Sequence, residues 1–161
     1  MQKKVKSQEY DHKFMTLALS EAERASEKGE VPIGAVVVVD GRVVARGHNL
    51  RELNSDPTAH AEMIAIGKAA KKLKSWRLAN STLYVTVEPC VMCIGAIILA
   101  RISRLVFGCY DPKGGAVGSL YDISNDKRLN HRVDVTQGVM AEEAQALLKD
   151  FFKKLRGRKT Y

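Results

Sequence analysis

The chain has 161 residues, 45% apolar and 27% charged, ordinary globular values that exclude a disordered, collagen-like or low-complexity protein; about two-thirds of the unfolded surface can be buried around one core. Its longest apolar stretch, Val91 to Ala100, falls far short of the roughly 20 residues a membrane-spanning helix needs, and the basic N-terminus leads into a charged amphipathic pattern instead of an apolar signal core. The expectation is a cytoplasmic protein with no membrane partner, folded as one domain over residues 1–161. A formal net charge of +8 points to an anionic partner such as nucleic acid. Of the three cysteines, two form Cys90-x-x-Cys93, a spacing that suits a metal or redox site in a reducing compartment better than a disulfide framework.

Along the chain, Phe14, Leu17, Ala18, Ala22 and Ala25 recur at helical spacing, so a first helix is expected from Tyr10 to Lys28, stopped by Gly29. Ile33 to Val39 and Val43 to Ala45 are short β-branched runs joined by Asp40-Gly41, a strong hairpin signal. Asp56 can cap a helix that opens at Pro57 and runs to about Lys74, which would put His60 and Glu62 in its first turns. Leu83 to Val87 reads as a third strand, broken by Glu88-Pro89, after which Cys90 opens a helix to about Ala100 on which Cys90 and Cys93 share a face. Leu105 to Cys109 and Val133 to Val135 are two further strands. Ala141 to Leu155 closes the chain as an amphipathic helix with Ala144, Leu147, Leu148 and Phe151 inward. This alternation gives an α/β layered sheet, and the glycine-rich segment Asp111 to Ser119 reads as a loop near the site.

Two short segments carry chemistry. His60-Ala-Glu62, followed downstream by Pro89-Cys90-Val-Met-Cys93, matches the H-x-E and P-C-x-x-C signature of zinc deaminases. One imidazole and two thiolates suit tetrahedral zinc and leave the fourth position to water, the mark of a catalytic site. The ligand set occurs once, so one Zn2+ per chain is expected, and Cys109, in an apolar strand at no ligand spacing, is a small core residue. Both ligand segments open helices, whose dipoles favour thiolate, and zinc brings the pKa of bound water to about 7. Glu62 lies about 200° around a helix from His60, so it serves better as a proton carrier, from water to a ring nitrogen and then to departing ammonia, than as a ligand. Singly, each residue has a bland reading: a capping histidine, a structural or redox C-x-x-C, a solvated glutamate. Their joint order carries the enzyme reading.

With these motifs the sequence resembles the cytidine deaminase-like superfamily and, within it, the bacterial tRNA-specific adenosine deaminases (the TadA family). The resemblance runs from about Tyr10 to Arg156 through Glu30-Val-Pro-Ile-Gly-Ala35, Gly47-His-Asn49, Asp56-Pro-Thr-Ala-His-Ala-Glu62, Leu83 to Cys93, Gly115-Ala-Val-Gly-Ser119 and Asn130-His-Arg132. It implies a three-layer α/β/α fold with a five-stranded mixed sheet. It also implies conversion of adenosine to inosine at the wobble position of a tRNA anticodon stem-loop, the base flipped into a pocket beside the metal, with water attacking C6 and ammonia leaving. By the same resemblance Asn49 should hydrogen-bond the flipped nucleotide, Val31, Pro32 and Ile33 should pack its face, and Asp111 should contact a neighbouring nucleotide. Without it, Asn49 reads equally as a turn residue and Val31 to Ile33 as simple core.

The basic helix end at 149–161 interleaves Lys149, Lys153, Lys154 and Arg156 with Phe151 and Phe152, as a phosphate-tracking, base-stacking surface would, with Phe152 as the stacking residue; the bland alternative is a solvated helix face. The Cys90 helix, with Val91, Ile94, Ala96, Ile97, Ile98 and Leu99, is apolar nearly all round. Either a homodimer covers it, as in the family, or it is wholly buried within one chain. Two rival functions remain. A deaminase of free guanine, cytosine or a small nucleoside is disfavoured by the basic tail and the Asp111 to Ser119 loop. A non-catalytic zinc-stabilised RNA-binding module leaves Glu62 without purpose.

Overall fold

The computed structural model describes residues 2–157, with side chains from residue 7 onward; the last four residues of the expected basic tail lie outside the described residues. In chain order the elements are α1 (Gln2–Glu27), β1 (Gly34–Val39), β2 (Arg42–His48), α2 (Arg51–Asn54), α3 (Ala61–Leu73), β3 (Ser81–Val87), α4 (Val91–Leu99), β4 (Arg104–Cys109), a 3-10 turn (Ile123–Asn125), β5 (Asp134–Thr136) and α5 (Ala141–Gly157). The sheet order is β2-β1-β3-β4-β5. β1 pairs antiparallel with β2 and β3, whereas β3, β4 and β5 run parallel, so the sheet is five-stranded and mixed as expected. Asp40 and Gly41 both adopt positive φ, 49° and 70°, the two-residue turn whose twist matches its flanking strands.

Side chains alternate across the sheet. Ala35, Val37, Leu83, Val85, Leu105 and Phe107 face α3 and α4, meeting Ala61, Ala65, Ala69, Ile94, Ile97 and Ile98. Val36, Val38, Tyr84 and Val106 face the opposite side, beneath Phe14, Met15 and Ala18 of α1 and Ala144 of α5. The result is three layers, and each fully buried large side chain contributes on the order of 1.5–3 kcal/mol of transfer free energy. A polar fork ties α1 across this arrangement: Arg104 donates to both Asp11 oxygens at 2.8 Å, the Tyr84 hydroxyl donates to Asp11 at 3.0 Å, and Arg104 also reaches Thr136. Buried polar atoms are thereby paired where they would otherwise be costly.

Three expectations need correction. Asp56 does not cap the ligand helix and Pro57 does not open it; Asp56 Oδ1 accepts the Thr58 backbone N–H and its hydroxyl, at 2.8 and 2.7 Å, forming a local turn, and α3 starts at Ala61 with His60 itself as the N-cap. Cys90 likewise precedes its helix as N-cap. The Cys90 helix is not wholly buried within the chain: Ile94, Ile97 and Ile98 are inside, but Val91 and Leu99, two turns apart on one side, are 51% and 71% exposed. Among the described residues no helix is long and apolar enough to cross a membrane.

One glycine sets the placement of α3. A Cβ on Gly47 of β2 would stand 2.5 Å from the Ala61 carbonyl oxygen and 2.8 Å from the Ala65 nitrogen. Only a residue without a side chain lets the first turn of α3 lie flush on the sheet, and that turn carries His60 and Glu62 into the site.

Candidate active site

The site lies beyond the carboxyl ends of β3 and β4, where ligand crevices of open α/β sheets form. β3 ends at Val87, and Glu88-Pro89 leads the chain out to Cys90, whose extended backbone (φ −75°, ψ 177°) places it at the start of α4. His60, at φ −76° and ψ 152°, occupies the same position on α3. Neither side chain caps its own helix, so both are free to converge. His60 Nδ1 stands 3.7 Å from Cys90 Sγ and 3.5 Å from Cys93 Sγ, and the three donor atoms all lie within 4.8 Å of one another. Two helix N-termini add positive potential to this point, which stabilises thiolate.

The protonation of the trio follows from this crowding. A hydrogen bond from Cys93, with His60 assisting, lowers the Cys90 thiol to about 3, while the same bond and burial push Cys93 well up. The neighbouring Cys90 raises the His60 imidazole against the opposing effect of burial. These protons are the ones a divalent cation displaces when such side chains bind it. Glu62, the second residue of α3, is only 4% exposed. Burial pushes its carboxyl up to about 7, against the lowering effects of its own backbone N–H and of His60. A carboxyl in that range both takes and gives a proton at neutral pH.

His60, Ala61, Glu62 and Cys90 floor a cavity of about 260 Å³ whose walls are Val31, Ile33, Asn49, Arg51, Val87, Glu88, Asp111 and Phe152, with Cys93 fully buried behind them. A larger groove of about 590 Å³ shares Val31, Ile33, Val87, Asp111 and Phe152 with it and adds Tyr110, Lys113, Lys149 and Arg156. The structure therefore brings together His60, Glu62, Cys90, Cys93, Asn49, Val31, Ile33, Asp111 and Phe152. It does not bring Pro32 to the surface of the cavity: Ile33 N–H bonds to the Val31 carbonyl at 2.9 Å, and this three-residue turn takes the buried central proline out of the lining. Asn49 is itself buried, donating to the Val31 carbonyl and accepting from the Arg51 N–H, each at 3.3 Å. Arg51 and Glu88 are wall residues that sequence reasoning missed. A lone basic residue between a strand and the ligand helix is the sole signal for the first, and the position before Pro89 for the second. For Glu88, burial alone would raise the pKa, but hydrogen bonds from Ser119, Asp111 and Val117 hold it below the usual carboxylate range.

Residues 9–156 match the family of MafB19-like deaminases. The chain is similar to a tRNA-specific adenosine deaminase of Bacillus subtilis, 50% identical over 149 residues that span 92% of each chain. It is also similar to one of Haemophilus influenzae, 52% identical over 157 residues that span 97% of this chain and 90% of that one. A solved structure from a study of A-to-I editing by tRNA:A34 deaminases at the wobble position of transfer RNA aligns with a TM-score of 0.81 at 49% identity, covering 84% of this chain and 98% of its own.

Proposed function

This chain belongs to the MafB19-like deaminase family and to the tRNA-specific adenosine deaminases, and from that premise we propose that it converts adenosine to inosine at the wobble position of a tRNA anticodon stem-loop. The observation that carries the reading is Glu62, a buried carboxyl held near neutrality beside three converging metal-ligating side chains. The donor set fits zinc. Bonds of about 2.3 Å to sulfur and about 2.05 Å to nitrogen at tetrahedral angles separate S and N by about 3.6 Å, and the two His–Cys separations are 3.5 and 3.7 Å. His60, Cys90 and Cys93 would hold one ion per chain, which supplies acidification of water at neutral pH.

Glu62 takes the proton of the attacking water, passes it to the purine ring nitrogen, and assists departure of the amino group, so that adenosine and water become inosine and ammonia. Val31 and Ile33 form an apolar wall for the face of the flipped base, with Pro32 shaping their turn from behind. The Asn49 amide keeps one N–H and one lone pair beyond its two local bonds, and these reach the nucleotide. Asp111 and Phe152 receive a flanking nucleotide in the groove, with Lys113 and Lys149 beside its phosphates. A second copy of the chain covers Val91 and Leu99, and the whole chain works as one domain. Its compartment is the cytoplasm, where thiols such as the free Cys90, Cys93 and Cys109 stay reduced.

The deciding experiment is incubation with total tRNA followed by sequencing. Adenosine read as guanosine at wobble positions is expected with the native chain, and its rate should fall by about 10²–10⁴ with Glu62→Gln at unchanged metal content. Deamination of free guanine or cytosine with tRNA untouched would instead establish the small-molecule rival.

A further inference from the structure

Glu88 follows the last residue of the strand that leads to the first cysteine, and it is 3% exposed. Its carboxylate accepts four hydrogen bonds, all from the segment 111–119. The Asp111 N–H reaches Oε2 at 2.9 Å, the Val117 and Ser119 N–H groups reach Oε1 at 3.0 and 2.9 Å, and the Ser119 hydroxyl donates to Oε2. Further ties join the same two pieces of chain, Ala116 N–H to the Pro89 carbonyl at 2.9 Å and an antiparallel bridge between Cys90 and Gly115, while Glu88 N–H bonds to the carbonyl of Cys109 at the end of β4, also at 2.9 Å. Any Cβ on Gly115 would overlap the Glu88 carboxylate, so the loop closes onto this group only because that residue is glycine. At the front of the loop, Asp111 lines both the cavity and the groove.

We propose that Glu88 is a positioning residue that fastens the substrate-facing loop 111–119 to the turn carrying Cys90, so that the pocket wall and the metal ligands form one preorganised unit; the proposal rests on the functional reading above. The chemistry of the group is specific. A carboxylate offers acceptors on both oxygens, as four donors require. An amide of the same shape cannot serve them all. With its carbonyl toward Val117 and Ser119, its NH2 group opposes the Asp111 N–H; in the flipped orientation it opposes two N–H groups. Glu88→Gln therefore releases Asp111 while the rest of the loop keeps its bonds.

The test compares the native chain, Glu88→Gln and Ser119→Ala for zinc content, amide hydrogen exchange, and kcat and KM on a tRNA anticodon stem-loop with adenosine at the wobble position. Glu88→Gln should keep its zinc, speed exchange at the Asp111 amide about tenfold and raise KM about tenfold, the usual worth of one hydrogen bond to a charged group, with kcat changed far less. A merely structural role would lower the melting temperature and leave the KM of the folded, zinc-loaded protein where it was, and that result overturns the proposal. So does an unchanged exchange rate at Asp111. If Glu88→Gln fails to fold, Ser119→Ala decides: it removes one of the four bonds, and an unmoved KM there is equally fatal. Should the native chain leave the stem-loop unmodified, the functional reading fails, and the exchange rates at Asp111 alone then decide whether the clamp exists.

Discussion

Replacing Gly47 with alanine tests whether the flush seat of α3 sets catalysis as well as stability. The added Cβ would sit 2.5 Å from the Ala61 carbonyl oxygen and 2.8 Å from the Ala65 nitrogen, both backbone atoms that cannot swing aside. Ordinary contact at about 3.4 Å requires the first turn of α3 to retreat by about 0.9 Å, an overpacking that costs about 1–3 kcal/mol. For a domain of this size that is a drop of roughly 2–12 °C in melting temperature. Catalysis should suffer more. His60 and Glu62 ride on the retreating turn while Cys90 and Cys93 stay on α4, and a misplacement of about 1 Å can cost about 10²-fold in rate. Differential scanning fluorimetry and single-turnover deamination of a tRNA stem-loop, both on metal-loaded protein, read the two effects separately. A Gly47→Ala protein that matches the native chain in both would show that α3 is not held by this contact.

Cys90→Ser and Cys93→Ser should each lose the bound metal and with it stability, whereas Cys109→Ala, buried away from the ligands, should retain one equivalent; metal analysis that fails to separate them removes the assignment. Burial, and then the Asp11 carboxylate, hold the Tyr84 hydroxyl well above its ordinary range. Its contribution to stability is therefore complete below the unfolded value of about 10 and is lost as the pH climbs beyond it. Tyr84→Phe should be less stable than the native chain at neutral pH by about 1 kcal/mol yet lose less between pH about 10 and 12, and parallel alkaline denaturation curves would contradict this. Deleting residues 153–161 should weaken RNA binding and flatten its salt dependence by about 0.7 in log–log slope per lost single-strand phosphate contact, with zinc content unchanged. An identical slope would reduce the tail to a solubilising end.

Residues whose signal is local are legible in the sequence. The trio His60, Cys90 and Cys93 was legible because ligand type and spacing are both encoded in short segments, and the strands because Val36 to Val39, Leu83 to Val87 and Leu105 to Cys109 are compact β-branched and apolar runs between breakers. Legibility ends where two local structures share one sequence. Asp56 followed by Pro57 and Thr58 spells a helix cap and a side-chain turn equally well, and the seat of α3 on Gly47, a tertiary contact that no local propensity encodes, decides between them. The four-residue α2 was invisible because its Leu53 N–H is held by Glu30 from 23 positions upstream, at 2.8 Å. From its neighbours alone Glu88 looks like a mere strand breaker, since its donors lie 23 to 31 residues downstream. Pro32 enters the expected pocket wall through the resemblance alone, since the three-residue turn that carries it behind Val31 and Ile33 leaves no mark on apolar periodicity.

The fork between Asp11 and Arg104 joins positions 93 residues apart, and this has a bearing on how the chain is born. Synthesis at about 5–20 residues per second leaves roughly 5–20 s between the emergence of the two partners. For most of that interval the stripe of Phe14, Met15 and Ala18 has no β3 to cover it, and until its end no β4, because β3 ends at Val87 and β4 begins only at Arg104. The first helix thus waits for partners made well after it, and nascent chains from which Arg104 has not yet emerged should present it to a chaperone, whereas chains from which β5 has fully emerged should not.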